Sequence, residues 1–367
     1  MASTSGTGNP PIVLYHYPFS PFGRRVVWYL NLRGIPYKEC VRYRLIYSLP
    51  SEHELTRLPN EQFQPPVMPR PDVERLGISY RRIPLLSIGR DVYLDTRLII
   101  QKLEALYPEK PRLGAAPGGD RALEQLLQRL NIDSGIFGHA FSLLPAELPL
   151  LKDSAFLKDR GDFMNGRLTS DSMGKGRPEA ILEMKNAFNL LEHDLLADGR
   201  EWVLGTDGPR VADIEAIWPY HWLTEIPGAL PADTFSPTTY PKVYAWIGRF
   251  KRAVRETRKA LGPAEKISGA DAVKLITAAS WSEAPGSVDA KDSVVLAEGL
   301  KAGDLITMWP TDTGSSHKDT GHLMSISSTE IVIETRAKDV TGTVLRVHAP
   351  RHGFRVRKGA AGSQTRL

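Results

Sequence analysis

Apolar and polar positions in the N-terminal part of the chain switch between the period of strands and the period of helices. Short β-branched runs predict strands, and apolar residues three and four positions apart predict helices. Gly34 and Pro36 end the first helix, and the pair Gly89-Arg90 predicts a hairpin turn. The predicted elements are strand 12–17, helix 21–33, strand 37–43, strand 82–88, strand 91–94 and a helix from 95 or 96 to about 106.

The pattern changes after a linker at 111–120 that is rich in proline and glycine. Helical spacing then recurs without strands, which is typical of a helical bundle. From about residue 263, after which Ser268 begins a short helix, short β runs alternate with turns, a pattern that favours a small barrel or rolled sheet. The predicted helices are 123–141, 156–164, 181–196, 211–223 and 240–257, and the predicted C-terminal strands are 294–296, 304–309, 323–326, 330–335, 343–347 and 353–357.

Length and composition indicate a multidomain globular protein. The chain has 367 residues, more than one ordinary core, with 41% hydrophobic and 24% charged residues. No apolar run reaches the roughly 20 residues that span a bilayer, and residues 1–9 lack the apolar segment of a signal peptide. Cys40 is the only cysteine, so a cytoplasmic protein without an intrachain disulfide is expected, with Cys40 a buried apolar residue.

The net charge of +5 is modest for this length. Basic residues gather near the C-terminus, but Arg355, Arg357 and Lys358 alternate with apolar residues as on the exposed face of a strand. We therefore expect neither a nucleic acid nor a membrane as partner.

Ser20 carries the first chemical proposal. It precedes Pro21, and proline is favoured in the first turn of a helix, where its missing N–H has no intrahelical partner. The hydroxyl therefore lies beside the unpaired N–H groups of a helix N-terminus, a place that favours phosphate, carboxylate or thiolate. Serine is also a common N-cap without further chemistry.

Four local motifs in this order resemble the glutathione transferase family over roughly residues 12–262. The first is similar to the serine-type classes, especially the plant tau class, and the second occupies the place of the family's cis-proline. In the fourth, Arg210 stands where the family has a serine or threonine cap. The motifs are Ser20-Pro21-Phe22-Gly23-x-Arg25-Val26, Arg82-Ile83-Pro84-Leu85-Leu86, Leu94-Asp95-Thr96 and Val211-Ala212-Asp213-Ile214.

The resemblance implies roles for these residues in binding glutathione as cosubstrate. Ser20 would donate a hydrogen bond to the glutathione sulfur and favour the thiolate. Ile83, before a cis Pro84, would offer its backbone N–H and C=O to the cysteinyl part. Asp95 and Thr96 would hold the γ-glutamyl group.

Further candidates surround that site. Arg82 and Arg70 are possible partners for a ligand carboxylate, and Tyr15 is a second candidate for the catalytic hydroxyl. Residues 44–79 contain six prolines and little periodicity, which predicts an irregular segment with one or two short helices; the glutathione contact that this segment supplies in the family stays unassigned. The residues expected to line an apolar electrophile pocket between the domains are Tyr17, Phe19, Phe22, Ile132, Ile136, Phe137, His139 and Trp218.

The resemblance implies a thioredoxin-like α/β domain followed by an all-α domain, and the short β runs after residue 263 add a small β module outside the resemblance, so the expected fold is α/β, all-α and small-β multidomain. The domains would be a disordered tail at 1–10, a thioredoxin-like glutathione-binding domain at 11–108, an all-helical domain at 118–262 and a small β-barrel-like module of unknown role at 265–360. A homodimer is expected. His317, Asp319 and His322, with His348 and His352, have spacing that a divalent metal accepts, but an exposed hairpin loop explains the cluster as well, and we predict no metal.

The expected activity is conjugation of glutathione to an apolar electrophile, and the appended module suggests a specialised biosynthetic role. Thiol-assisted isomerisation of a double bond on the same site is an alternative, because both reactions begin with thiolate attack. A non-catalytic relative that binds ligands or partners is the other alternative.

Overall fold

The computed structural model describes residues 9–40, 68–164 and 175–359. Most of the predicted tail and residues 44–67 of the irregular segment lie outside these ranges. The N-terminal elements follow the predicted order, and Cys40 is buried as predicted. They are β1 (Ile12–Tyr15), α1 (Pro21–Leu32), β2 (Lys38–Cys40), α2 (Pro71–Glu74), β3 (Leu85–Ile88), β4 (Asp91–Leu94) and α3 (Thr96–Leu106).

The middle of the chain is helical, as predicted. The expected helix at 123–141 is two helices, because Gly135 adopts a left-handed φ of 95° between them. Residues 211–223 are all buried, so their helix occupies the centre of the bundle. The helices are α4 (Gly119–Ile132), α5 (Ile136–Ser142), α6 (Pro149–Lys152), α7 (Ser154–Phe163), α8 (Arg177–Asn189), which continues into a π-helical turn (Leu190–Leu195), α9 (Val211–Thr224) and α10 (Pro241–Leu261).

The C-terminal part contains most of the expected strands, but one predicted strand is a helix. The strand predicted at 294–296 is wrong: Asp292 accepts hydrogen bonds from the N–H groups of Val294 and Val295, and Gly299 closes the segment in the left-handed region, so it is helical. The elements are β5 (Glu265–Lys266), α11 (Gly269–Ala278), α12 (Ser293–Glu298), β6 (Leu305–Pro310), β7 (Asp319–Ile326), β8 (Glu330–Arg336), β9 (Val344–Pro350) and β10 (Phe354–Lys358).

The ten strands within the described residues belong to one sheet. Its order is β10-β6-β7-β8-β9-β4-β3-β1-β2-β5. The junction is a parallel pairing of β9 with β4, in which Val92 lies opposite Val347 and Tyr93 opposite His348. The prediction of a small β-barrel-like module is therefore not confirmed, because these strands extend the thioredoxin-like sheet.

The C-terminal strands are nevertheless strongly curled. β9 and β10 lie four strand spacings apart in the sheet order, a distance of roughly 19 Å if the sheet were flat. The connection from Pro350 to Phe354 spans at most about 15 Å. The sheet must bend for β10 to reach β6. On β10, Phe354 and Val356 are buried while Arg355 and Arg357 are exposed, in agreement with the predicted alternation.

The two faces of the sheet form two apolar cores. Leu14 of β1 packs with α1, α3 and the helical bundle. Val13 and Tyr15 face the other side and pack with α2, α11 and the curled strands. None of the described helices is long and apolar enough to cross a membrane.

Buried charges surround the junction of β4 and β9. Asp91 is fully buried, and its Oδ1 lies 2.9 Å from Arg346 Nε and 3.0 Å from His348 Nε2. His348 Nδ1 lies 3.4 Å from Glu330 Oε2, and Lys102 Nζ donates to Glu330 at 3.0 Å. Each charge therefore has an oppositely charged neighbour, as burial requires.

The pKa of His348 responds to two opposed effects. Burial lowers the pKa, but hydrogen bonds and charges of Asp91 and Glu330 outweigh burial and raise it above the ordinary 6.5. The pKa values of Asp91 and Glu330 are lowered, although burial alone would raise them, because His348 stabilises both carboxylates. The His348 contribution to stability is thus present below pH 6.5 and is lost as the pH rises through its raised folded-state pKa.

We predict that the free energy of unfolding of His348→Gln decreases less with rising pH than that of the unaltered protein. From about pH 6 to about pH 9 the free energy of unfolding of the unaltered protein should fall by on the order of 1 kcal/mol more than that of His348→Gln. Urea denaturation at the two pH values measures this difference. His322→Gln, an exposed histidine on β7, is the matched control and should leave the pH dependence unchanged. Equal slopes for His348→Gln and the unaltered protein would contradict the prediction.

Candidate functional site

Ser20 caps the N-terminus of α1 and is buried, with 4% of its surface exposed. Its Oγ accepts a hydrogen bond from the Gly23 N–H at 3.1 Å. Pro21 occupies the first helical position, as predicted. The structure contains no hydrogen bond from the Ser20 hydroxyl to another described residue, so its proton can be donated to a ligand. The cap and the donor function are therefore compatible in the same side chain.

His16 lies directly behind this helix start and is not among the site residues predicted from the sequence. A Cβ placed on Gly23 would lie 3.3 Å from both Ser20 Cβ and His16 Cβ, so glycine permits this close approach. His16 Nε2 is 3.5 Å from Glu39 Oε1. Burial raises the pKa of Glu39, but hydrogen bonding and charge from His16 outweigh it, and the pKa is lowered overall. The sequence signal for His16 is its place near the end of the predicted strand 12–17, a few residues before Ser20.

The Ile83–Pro84 peptide bond is cis, as the resemblance implied. Ile83 is half-buried and precedes β3. A small cleft connects it with the end of β1 and the start of α2. The residues that line this cleft are Tyr15, His16, Tyr17, Cys40, Arg70, Asp72, Val73 and Ile83.

Asp95 and Thr96 begin α3 with an unusual backbone. Asp95 has φ 65° and ψ 134°, and its side chain accepts from the Arg97 N–H at 3.0 Å. Positive φ is unfavourable for a residue with a Cβ, and such residues concentrate at ligand sites. Thr96 is buried, and its Oγ1 accepts from an Nη of Arg25, so its own proton is available to another acceptor.

A buried ion pair connects this helix start to the bundle. Arg25 of α1 and Glu215 of α9 are both 0% exposed and contact each other directly. Gln128 Nε2 donates to the second carboxylate oxygen of Glu215 at 3.1 Å, and Asn131 Nδ2 donates to its backbone oxygen at 2.6 Å. Through Arg25 the position of Thr96 depends on three helices, α1, α4 and α9. Loss of one charge of such a pair costs about 3–5 kcal/mol of stability.

Arg82 contacts the loop between β6 and β7, a tertiary contact that has no local signal in the sequence. Its Nε and Nη2 donate to Thr313 O at 3.0 Å and 2.7 Å, and its guanidinium pairs with Asp312. Its Nη1 lies 3.9 Å from Asp95 Oδ2. Arg70, the other proposed carboxylate partner, donates to Arg81 O.

Tyr15 lines the cleft but lies on the opposite face of the sheet from α1. Its hydroxyl is buried without a hydrogen-bond partner in the described structure. Burial raises the pKa of Tyr15 well above its ordinary value, and Cys40 and Asp72 add to the effect. The phenol is therefore neutral and keeps its proton, and Ser20 remains the hydroxyl at the helix N-terminus.

The residues expected to line an electrophile pocket divide into two groups. Phe22 contacts Phe137 and Trp218, with ring centroids 4.9 Å and 4.8 Å apart, and Phe137 and Trp218 are 5.2 Å apart. These three rings, with Ile132 and Ile136, belong to the core between the domains. Tyr17 and Phe19 stack on each other at 4.6 Å, half-exposed.

His139 is half-buried on α5, near Gly135. Several residues that were expected to line an open pocket, Phe22, Phe137 and Trp218, therefore pack against one another instead.

The histidines of the C-terminal part lie apart from one another. Asp319 accepts from the Ser79 N–H at 2.6 Å, His322 Nδ1 contacts Gly303 O at 3.1 Å, and His352 Nε2 lies 3.2 Å from an oxygen of Asp133. Among the described residues, Glu283, Glu330 and His348 have potential ligand atoms within 4.8 Å of one another. The ammonium of Lys102 already donates to both of those glutamates.

Known proteins share parts of this architecture. Residues 14–111 match the family model described as glutathione S-transferase, N-terminal domain, and residues 139–259 match a domain of unknown function (DUF7962). The structure of a GST-like protein from Pseudomonas syringae matches with a TM-score of 0.62 at 23% sequence identity, covering 95% of this chain and 100% of that chain.

Two other matches are weaker. Beta-etherase LigF from Sphingobium sp. strain SYK-6 matches at TM-score 0.47 and 15% identity, over 68% of this chain and 99% of that chain. Rice GST1 in complex with glutathione matches at TM-score 0.43 and 18% identity, over 74% and 97%. No curated protein matches the sequence. Residues 14–111 therefore match a glutathione S-transferase N-terminal domain, and the chain shares the fold of a GST-like protein.

Proposed function

We propose that the protein binds glutathione and activates its thiol for attack on an apolar electrophilic small molecule. The observation that carries this proposal is the buried Ser20 hydroxyl, which accepts from the Gly23 N–H and keeps its own proton for a ligand. A hydroxyl in this place, on the N-terminus of a helix of 12 residues, favours a thiolate in two ways. It donates a hydrogen bond, and the helix N-terminus carries partial positive charge.

The chemical step follows from thiolate stabilisation. A free thiol has a pKa of about 8.5, so only a few per cent is ionised at neutral pH. Stabilising the thiolate lowers that pKa and releases the proton to solvent. The sulfur electron pair then forms a bond to the electrophilic carbon, and the leaving group departs with the pair that joined it to that carbon.

The remainder of the cosubstrate would extend from Ser20 past Ile83 to the start of α3. The backbone N–H and C=O of Ile83, held by the cis bond to Pro84, would pair with the cysteinyl part. Asp95 would accept from the α-ammonium group, and the Thr96 hydroxyl with the first N–H groups of α3 would hold the α-carboxylate. The stacked Tyr17 and Phe19 offer an apolar surface for the electrophile.

Two alternatives share this site. In a thiol-assisted isomerisation the adduct collapses and glutathione is released unchanged, and in a non-catalytic relative glutathione binds without turnover. Homodimer formation and a cytoplasmic location remain predictions.

We predict that Ser20→Ala lowers kcat/KM for conjugation of glutathione to a chlorodinitrobenzene by about 10²-fold or more, because one preorganised donor to the reacting anion is lost. Initial rates across a pH series measure the effect. The pH at which the rate rises should shift upward, because the thiol of bound glutathione regains its ordinary pKa.

Ser268→Ala is the matched control, since Ser268 also caps a helix by accepting from a backbone N–H, at 3.1 Å from Asp271 N. Both variants lose about 1 kcal/mol of stability with the cap, but only Ser20→Ala should lose activity. Glutathione bound with undiminished turnover in Ser20→Ala would overturn the assignment of Ser20. Glutathione bound by the unaltered protein without turnover of this electrophile would favour isomerisation or the non-catalytic alternative, and no glutathione binding would overturn the proposal.

We predict that Asp95→Asn raises the Kd for glutathione about tenfold, because the amide carries no charge to pair with the α-ammonium group. Asparagine caps a helix as well as aspartate does, so the free energy of unfolding should change little. Isothermal titration calorimetry measures the Kd. Asp153→Asn changes the N-cap of α7 in the same way and should leave the Kd unchanged; an equal Kd in Asp95→Asn and the unaltered protein would contradict the prediction.

A further inference from the structure

The loop between β6 and β7, residues 311–318, lies against the start of α3. Arg82 stands between this loop and Asp95. Its Nε and Nη2 face the loop, where Thr313 O accepts at 3.0 Å and 2.7 Å and Asp312 provides a carboxylate. Only Nη1 approaches Asp95, at 3.9 Å. Asp312 and Asp95 therefore interact with the same guanidinium, and the contact with Asp312 is the closer of the two.

The loop is fixed in this position by contacts on its other side. The Gly314 N–H donates to Phe163 O at 2.8 Å, and Gly314 has a left-handed φ of 66°. A Cβ on Gly314 would lie 2.9 Å from Arg81 Cγ, so the backbone of the loop packs directly on that side chain. His317 Nε2 lies 3.6 Å from Asp162 Oδ2 of α7. The loop is thus tied to the bundle and to the segment that precedes the cis-proline.

A second connection of the C-terminal strands reaches the same helix start. The Thr311 N–H donates to Gly353 O at 2.9 Å, which joins the β6–β7 loop to the turn between β9 and β10. In that turn His352 Nε2 lies 3.2 Å from Asp133 Oδ2, and Asp133 also pairs with Arg97 of α3. Two connections of the C-terminal strands therefore bracket the first turn of α3.

The electrostatic consequence concerns Asp95. Two carboxylates and one guanidinium leave a net charge of −1, and the asymmetric distances place that excess on Asp95. If Asp312 were neutral, Asp95 would be the only carboxylate for Arg82, and the guanidinium would approach it until its charge was compensated. A compensated Asp95 would attract an ammonium group weakly.

We propose that Asp312 is a positioning residue of the glutathione site: it holds Arg82 on the β6–β7 loop and leaves the Asp95 carboxylate available to the ligand's α-ammonium group. This inference rests on the proposed function. It assigns the C-terminal strands a part in ligand recognition, namely selection of γ-glutamyl compounds that carry a free α-amino group.

The test compares two ligands with the full-length protein. Calorimetry measures the Kd of glutathione and of the glutathione analogue that lacks the α-amino group, for the unaltered protein and for Asp312→Asn. The Kd for glutathione should rise about tenfold in the variant, while that of the analogue should change by less than about twofold. Asp312 has 63% of its side chain exposed, so the isosteric amide should be tolerated, and thermal unfolding checks this.

Asp339→Asn is the matched control, because Asp339, between β8 and β9, forms a similar ion pair with Arg75, which follows α2; this substitution should change neither Kd. An equal rise for both ligands, or no rise, would overturn the inference and leave the proposed function standing. Failure of the unaltered protein to bind either ligand would overturn the proposed function and this inference with it. A loss of affinity that is confined to the ligand with an α-amino group indicates that Asp312 positions Arg82. A general loss of stability would weaken the binding of both ligands.

Discussion

Backbone hydrogen bonding along β4 is the constraint on which the rest of the structure depends. Without β9, β4 would be the open edge of the thioredoxin-like strands, with a row of unpaired N–H and C=O groups. β9 occupies this edge in parallel register. Because β9 also belongs to the curled C-terminal strands, one pairing joins two parts of the molecule into a single sheet. The pairing of β4 with β9 also buries Asp91. A buried charge needs an oppositely charged partner, and Arg346 and His348 of β9 provide it.

The candidate site lies where this sheet meets the helical bundle. Its two helix starts depend on contacts that come from other parts of the chain. Thr96 is held by Arg25, and Arg25 in turn by Glu215 of the bundle. Asp95 is approached by Arg82, whose other contacts belong to the β6–β7 loop. The side chains proposed to bind a ligand are therefore positioned by contacts from all three segments of the chain, although most of the recognisable motifs lie in the first.

The sequence predicts those features that local chemistry determines. Pro21 after a capping Ser20, glycine at helix ends and the Gly89-Arg90 turn each act within a few residues, and the corresponding elements lie close to their predicted positions. The helix at residues 293–298 shows the limit, because the β-branched pair Val294-Val295 favours a strand, yet the Asp292 cap prevails.

Contacts between distant residues leave no such local signal. The pairing of β4 with β9 joins residues such as Asp91 and His348, 257 positions apart. The packing of Phe22 on Trp218 and the ion pair between Arg82 and Asp312 likewise depend on tertiary structure. The candidate residues could be named from the sequence, but their neighbours could not. His16 is close to Ser20 along the chain, but their contact depends on how closely α1 packs on β1, which the sequence does not show.

The distance between β4 and β9 along the chain has a consequence for biosynthesis. At ribosomal rates of about 5–20 residues per second, the edge of β4 is synthesised on the order of tens of seconds before the strand that covers it. During that interval the thioredoxin-like strands expose an unpaired edge and the carboxylate of Asp91. The newly made protein thus passes through a stage at which another chain could pair with that edge, and the last strands to emerge end this exposure.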